Sequence, residues 1–225
     1  RKVEMSLINI ALDGPAGAGK STVGKILSLR LSYDYLDTGM IYRSIAWWFS
    51  AMGWEEGTDI LQLVSQLEII SGSEPGFCRV IINGIEPPFD KIYSREITDL
   101  SSRISIHKEI RDVVNRITRT SAEPKGMVVE GRDIGTVVLP EAEVKIFLTA
   151  SNEELARRRY KDLQKIGERV SYETILAEII ERNTRDSTRS IAPLRPAPDA
   201  VCIDSTNLKV QEVVDKILLV VKEKA

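Results

Sequence analysis

Leu7-Ile-Asn-Ile-Ala-Leu12, followed by Gly14-Pro-Ala-Gly-Ala-Gly19-Lys20-Ser21, decides how this chain folds. The first stretch is an apolar run of strand length, and behind the glycine-rich segment Ser21 to Leu31 repeats its apolar residues at helical spacing. Strand, loop and helix follow in that order. The loop satisfies G-x-x-x-x-G-K-[ST], where glycine recurs because the backbone wraps phosphate oxygens in conformations that a side chain would block. Its N–H groups and the helix N-terminus then face an anion. Gly14, Pro15, Ala16, Gly17, Ala18, Gly19, Lys20, Ser21 and Thr22 therefore read as an ATP-binding cradle. In it Lys20 reaches the β- and γ-phosphates, the Ser21 hydroxyl ligates Mg²⁺ and Thr22 extends to the α-phosphate.

Outward from this loop, Tyr33 to Leu36, Met127 to Val129, Val144 to Leu148 and Ala200 to Ile203 read as further short strands. Helical patterns alternate with them, such as Val210, Val213, Val214, Ile217, Leu218 and Val221. The expectation is an α/β fold with a five-stranded parallel sheet flanked by helices. Two stretches break the rhythm. Leu67 to Ile70 and Arg79 to Ile82 read as strands, with Asn83-Gly84 as a type I′ hairpin signal and Pro87-Pro88 as a stop. A long helical region from about Arg95 to Thr120 returns the chain, with Ile106, Ile110, Val113, Val114 and Ile117 on one face. The second excursion, Glu153 to Arg189, is helical and dense in charge, with Gly167 as a turn or hinge. This divides the chain into a core of residues 5–62, 104–152 and 190–225, a small antiparallel β insertion at 63–103 and a helical lid at 153–189. Trp47, Trp48 and Trp54 read as packing rather than base-stacking residues.

With 225 residues the chain can bury a core without metal or disulfide staples. Its net charge of -2 gives no field that would gather nucleic acid or an anionic membrane. A single histidine, His107, excludes multi-histidine metal centres, and Cys78 and Cys202 are too few for a thiolate zinc site; both are expected to be buried, reduced and unreactive. No apolar run of about 18 residues and no secretory signal pattern occurs, so a cytoplasmic protein is expected. Arg1 to Glu4 carry no pattern and are set aside. The lack of a heptad seam points to a monomer.

A phosphate loop alone leaves the acceptor open. No Asn-Lys-x-Asp string occurs, which argues against a GTPase. Asp37-Thr-Gly-Met-Ile-Tyr-Arg43 follows a strand and would lie at the carboxyl edge of the sheet, where open α/β folds bind ligands. On spacing alone Arg43 fits a second phosphate ligand and an ordinary surface arginine equally well. Glu130 falls at the end of another strand, placed to hold Mg²⁺ through water, and Arg132 and Asp133 follow it into the same crevice. A glycine turn with a local ion pair would explain that segment too. Arg182, Arg185, Asp186 and Arg189 share one helical stripe, oriented by Ile175, Leu176, Ile179 and Ile180.

The phosphate loop, Asp37 to Arg43, Gly131-Arg-Asp-Ile-Gly-Thr-Val-Val138 and Arg185-Asp-Ser-Thr-Arg-Ser-Ile-Ala-Pro-Leu194 together resemble the bacterial cytidylate kinases, in order and spacing, over nearly the whole chain. The resemblance implies a P-loop NTPase fold. The β insertion looks like that family's enlarged nucleoside-monophosphate lobe, which adenylate, shikimate and dephospho-coenzyme A kinases lack. It implies that Arg43, Arg132 and Arg182 grip the phosphate of CMP, that Ser102, Arg111 and Asp133 read cytosine, and that Asp186 and Arg189 hold the sugar. Thr38 stands where some relatives have serine, keeping a substrate-side hydroxyl. Arg157, Arg158 and Arg159 fall in the lid, so Arg158 and Arg159 join Lys20 and Arg132 as catalytic candidates. Ser21 and Glu130 remain the metal candidates, Glu130 replacing the aspartate often found there.

Cytosine offers an amino donor beside two acceptors, and so calls for a carboxylate next to an arginine, whereas uracil would set its O4 acceptor against Asp133. Sites of this kind reject a mispaired partner by roughly 10⁴. Ser102 and Arg111 are out of phase on one straight helix, so a break is expected near Ile106 to Lys108. The reaction implied is phosphoryl transfer from ATP, with Mg²⁺, to CMP and by analogy dCMP. Its rivals are a kinase for UMP, AMP or shikimate, and a nucleotide-binding regulatory ATPase with no second phosphate site.

Overall fold

The computed structural model describes residues 6–55, 59–165 and 167–224; Arg1 to Glu4 lie outside the described residues. β1 (Asn9–Asp13) leads through the glycine loop into α1 (Lys20–Leu31), and β2 (Asp34–Asp37) leads into α2 (Thr38–Ala51). Next come α3 (Ile60–Ser65), the strands β3 (Ile69–Glu74) and β4 (Phe77–Ile82), the single turn α4 (Phe89–Ile92) and α5 (Arg95–Ile104). α6 (Lys108–Ala122) returns to the sheet at β5 (Met127–Gly131). A π turn over Ile134–Val138 precedes β6 (Val144–Thr149). The antiparallel pair α7 (Asn152–Lys165) and α8 (Tyr172–Thr188) follows, then β7 (Val201–Asp204) and α9 (Val210–Lys224).

The expected five-stranded parallel sheet forms, in the order β2-β5-β1-β6-β7. β1 and β5 are buried at every residue rather than at alternate ones, as strands covered on both faces must be. α1 and α9 pack together on this sheet, and α2 packs on β5 with α5 and α6 behind it. Register sets what the carboxyl edge displays. Asp37 lies opposite Glu130 and Asp13 opposite Gly131, so three acidic residues meet at one edge beside the loop.

Several local expectations need correction. The two-stranded ladder turns at Pro75-Gly76, not at Asn83-Gly84. Asn83 and Gly84 do take the paired positive φ of a type I′ turn, 48° and 77°, but the arm beyond them makes only the Ile82 to Ile85 bridge. Pro87 and Pro88 have no N–H with which to extend it. The helical region is split between Ile104 and Lys108, as the phase of Ser102 and Arg111 requires, and Ile106 is exposed in the break rather than on the apolar face. Ile180 is likewise exposed, and Cys202 is exposed on the edge strand β7 while Cys78 is buried. The three tryptophans are half-buried against the core. Among the described residues no helix is long and apolar enough to cross a membrane.

The loop fits between β1 and β6 with no room to spare. Gly14 has φ 148°, and a Cβ there would stand 1.9 Å from the backbone oxygen of Leu148. Gly84, by contrast, has nothing within 4 Å of an added Cβ. Gly84→Ala should therefore cost only turn strain, about 1 kcal/mol, or about 3 °C in Tm, whereas Gly14→Ala should abolish cooperative thermal unfolding. A Gly14→Ala midpoint within about 4 °C of wild type would contradict this packing.

Candidate active site

The loop and the strand edge build the first half of the site. Lys20 Nζ donates to the carbonyls of Gly14 at 2.9 Å and Pro15 at 2.8 Å, which folds the ammonium over the cradle. Ser21 Oγ donates to Glu130 Oε1 at 2.6 Å, and Glu130 Oε2 is buried without a hydrogen-bond partner. Burial and the neighbouring Asp37 raise the Glu130 carboxyl, while burial and Arg132 lower the Lys20 ammonium. A hydroxyl beside a carboxylate with one unpartnered oxygen fits a hard cation that takes its other ligands from phosphate and water. Among the described residues no cluster of three or more His, Cys, Asp or Glu could hold a metal by itself.

Arginines converge on the other side of this pair. Arg132 Nη1 donates to Gly14 O at 2.7 Å, and its Nε lies 3.3 Å from Asp186 Oδ2. Arg43 Nη2 donates to Asp37 Oδ2 at 2.8 Å. Arg182 faces Arg132, Arg43 and Arg159 with Asp186 as its counterion, and its Nε is buried with no partner. Burial first, and then the like charge of Arg132, push the Arg182 guanidinium down to about 9. It remains charged at neutral pH, in a cleft where its neighbours repel it. Burial disfavours the Asp186 carboxylate, but Arg132, Arg182 and Arg189 outweigh it and hold the group below its ordinary range.

A third cluster adjoins the arginines. Arg111 Nη2 donates to Asp133 Oδ2 inside the protein, and Arg111 Nη1 donates to Ser105 O at 3.2 Å. Burial opposes the Arg111 charge, yet the facing Tyr42 and Asp133 hold its guanidinium above the ordinary value. Arg189 donates through Nη1 to Ser105 Oγ at 3.3 Å, and its Nη2 lies 3.6 Å from Asp133 Oδ1. Ser105 Oγ in turn donates to Ser102 O at 2.7 Å, which joins Ser102 to the cluster. The Ser102 and Tyr42 hydroxyls are both buried without partners. Thr38 Oγ1 donates to Glu130 O at 2.8 Å, tying the α2 N-terminus to β5.

The three arginines of α7 divide. Arg157 pairs with Glu154 at the surface. Arg158 Nε donates to Glu154 Oε1 at 2.7 Å, while its Nη atoms donate to Ser205 Oγ at 3.0 Å, Ser205 O at 2.7 Å and Ala18 O at 3.3 Å, so protein acceptors hold it against the loop. Arg159 has no such anchor among the described residues: burial lowers its guanidinium, Asp162 and Glu168 are its stronger electrostatic neighbours, and Arg43 and Arg182 lie within electrostatic reach. The helical stripe divides too: Arg182 and Asp186 face the cleft, whereas Arg185 pairs with Asp99 at 3.1 Å and Glu181 at 2.8 Å.

Sequence reasoning missed several members of this network. Asp13 accepts from the N–H groups of Ile134 and Gly135, both at 2.8 Å, and so pins the segment that carries Asp133; burial raises its carboxyl to about 6. Its place at a strand end beside the glycine loop was a usable signal, as was that of Ser205 after β7. Tyr93, 50 residues from Arg43 and hydrogen-bonded to it, left no mark in any spacing.

A family model described as "Cytidylate kinase" matches residues 10–223. The chain is 46% identical over 217 residues to a cytidylate kinase of Geobacter sulfurreducens, covering 96% of this chain and 93% of that relative. It is 48% identical over 217 residues to a cytidylate kinase of Thermosipho africanus, covering 96% and 95%. Among solved structures it resembles a shikimate kinase from Acinetobacter baumannii in complex with shikimate, with TM-score 0.50, 19% identity and coverage of 97% and 96%. It also resembles an uncharacterized protein from Eubacterium ventriosum, with TM-score 0.54, 14% identity and coverage of 97% and 99%. These structural likenesses concern the fold, a P-loop kinase architecture.

The two arginine environments predict opposite stability effects. Removing Arg111 strands the buried Asp133, so Arg111→Met should cost about 3 kcal/mol in denaturant unfolding. Arg182→Met relieves like-charge repulsion and should leave the midpoint unchanged or raise it. Equal destabilisation by the two substitutions would contradict this assignment of charge.

Proposed function

The chain belongs to the cytidylate kinase family, and from that premise we propose that Arg43, Arg132 and Arg182 hold the phosphate of CMP against ATP seated in the Gly14 to Thr22 loop. The protein is a phosphotransferase that moves the γ-phosphoryl group of ATP to CMP, giving ADP and CDP; dCMP is the second acceptor in this reading. The observation that carries it is the convergence of three guanidinium groups beside the loop, next to the buried Arg111 and Asp133 pair. A nucleotide sensor has no use for those arginines, and uracil would oppose Asp133 with an acceptor.

A CMP phosphate oxygen attacks the γ-phosphorus in line, and because the acceptor is already an anion no general base is needed. The chain's task is to hold two polyanions in contact and to neutralise charge on the transferring group. Lys20 and Arg132, both hydrogen-bonded to the Gly14 carbonyl, act on the ATP side and at the junction. Arg159 is the lid residue within electrostatic reach of the acceptor arginines Arg43 and Arg182, while Arg158 steadies the loop. Held by Ser21 and Glu130 together with the phosphates, Mg²⁺ would neutralise charge at the β- and γ-oxygens.

At the base end Asp133 accepts from the cytosine amino group and Arg111 donates to its ring acceptors, with Ser102 alongside. Asp186 pairs toward Arg132 and Arg189 toward Asp133, so the two bracket the sugar between phosphate and base. Residues 63–103 serve as the monophosphate lobe and 153–189 as the lid. Arg95 with Glu178, and Asp99 with Arg185, join α5 to α8 across the two. These exposed pairs favour closure, which excludes water from the phosphoryl group. Both substrates are free nucleotides, which suits a cytoplasmic monomer.

A coupled ADP-release assay tests this reading. ADP formation should require an acceptor, with CMP and dCMP preferred over UMP, AMP and GMP. Asp133→Ala should lower kcat/KM for CMP about a hundredfold, the scale of one buried hydrogen bond to a charged group. ATP turnover that proceeds equally well without any acceptor would overturn the kinase reading.

A further inference from the structure

Tyr93 stands just after α4 in the β insertion and touches the one arginine of the acceptor cluster that α2 supplies. Its O–H donates to Asp37 Oδ2 at 3.2 Å, and it accepts from Arg43 Nη2 at 3.1 Å. Its ring lies beneath the same guanidinium, 4.3 Å from ring centre to Cζ. Asp37 is itself immobile, because Oδ1 accepts from Met40 N at 3.0 Å as the N-cap of α2. Arg43 Nη2 is thereby shared between two oxygens, and Arg43 Nε is buried with no protein partner.

We propose that Tyr93 is a positioning residue for the acceptor phosphate, holding Arg43 over its ring and limiting it to a single-point contact with Asp37. The inference rests on the kinase reading above and deepens it. An arginine beside a buried carboxylate tends to close into a two-point fork, which would engage the donors that the phosphate needs. The phenol prevents this in two ways. Its oxygen takes one Nη2 hydrogen, and its own hydrogen competes with Arg43 for Asp37 Oδ2, while Oδ1, the second oxygen a fork would need, is already taken by Met40 N–H. The ring face favours the cation and fixes the plane in which it lies. Because Tyr93 arrives with the insertion, Arg43 is oriented for phosphate only while that lobe is seated on α2.

The test compares wild type with Tyr93→Phe, which keeps the ring and removes only the oxygen, and with Tyr93→Leu, which removes both. Tyr93→Phe should raise KM for CMP about tenfold with kcat within about twofold, and Tyr93→Leu should raise it about fivefold further. KM for ATP should be unchanged in both. Cytidine, measured as a competitive inhibitor against CMP, should bind the Phe variant as it binds wild type, because it carries no phosphate for Arg43. An unchanged KM for CMP in Tyr93→Phe overturns the proposal, and so does an equal weakening of cytidine and CMP, which marks a merely structural role. If Tyr93→Leu does not fold, the Phe variant decides alone. Wild type that fails to use CMP would instead overturn the kinase reading itself.

Discussion

Mutual repulsion among Arg43, Arg132, Arg159 and Arg182, with Lys20 close by, is the constraint that the surrounding structure is arranged to bear. Guanidinium groups do not gather in a partly buried cleft unless something holds them there, and here the holders are identifiable. Asp37 and Tyr93 restrain Arg43, Asp186 and the Gly14 carbonyl restrain Arg132, and Asp186 opposes the repulsion on Arg182. The balance is incomplete, as the lowered Arg182 guanidinium and its unpartnered Nε both record. In the proposed function a polyanion would complete it. On that proposal, stability is given up locally in return for affinity toward a phosphate, a trade expected where function demands like charges side by side.

The rest of the fold makes that crowding tolerable. A parallel sheet puts Asp13, Asp37 and Glu130 at one edge, and each does a different job. Asp13 is a staple, taking two backbone N–H groups from the segment after Asp133. Asp37 caps a helix and anchors an arginine. Glu130 keeps one oxygen free of protein donors beside the Ser21 hydroxyl. The glycine loop closes the arrangement from below, where the 1.9 Å approach that a Cβ at Gly14 would make to Leu148 O shows how tightly it is seated. α5 and α8 are joined by the charged pairs Arg95–Glu178 and Asp99–Arg185, contacts of a kind that contribute little and release readily.

How much of this was legible in the sequence depended on whether the signal was local. The phosphate loop, the parallel strands and the helix break ahead of Lys108 follow from spacing, because each is a matter of a few neighbouring residues. The grouping of Arg43, Arg132 and Arg182 was only half legible. Arg43 and Arg132 could be placed at strand ends, but their meeting with Arg182 depends on how α8 folds back over the sheet. The hairpin was misplaced because Asn83-Gly84 is a true turn signal with no second strand to serve, and the weaker Pro75-Gly76 pair joins the ladder instead. Arg158 and Arg159 are adjacent in sequence yet face different partners, which a run of three arginines cannot reveal. Tyr93 was invisible for the same reason: its meaning lies wholly in a contact between the insertion and α2.

The most direct measurement of the central claim is the affinity of wild-type protein for CMP and for cytidine, by calorimetry under identical salt. If the arginine cluster exists to bind a phosphate, CMP should bind at least about 10³-fold more tightly than cytidine, and the gap should narrow as ionic strength rises. Equal affinities for the two, or a gap indifferent to salt, would mean that the guanidinium groups of Arg43, Arg132 and Arg182 are assembled for some other purpose.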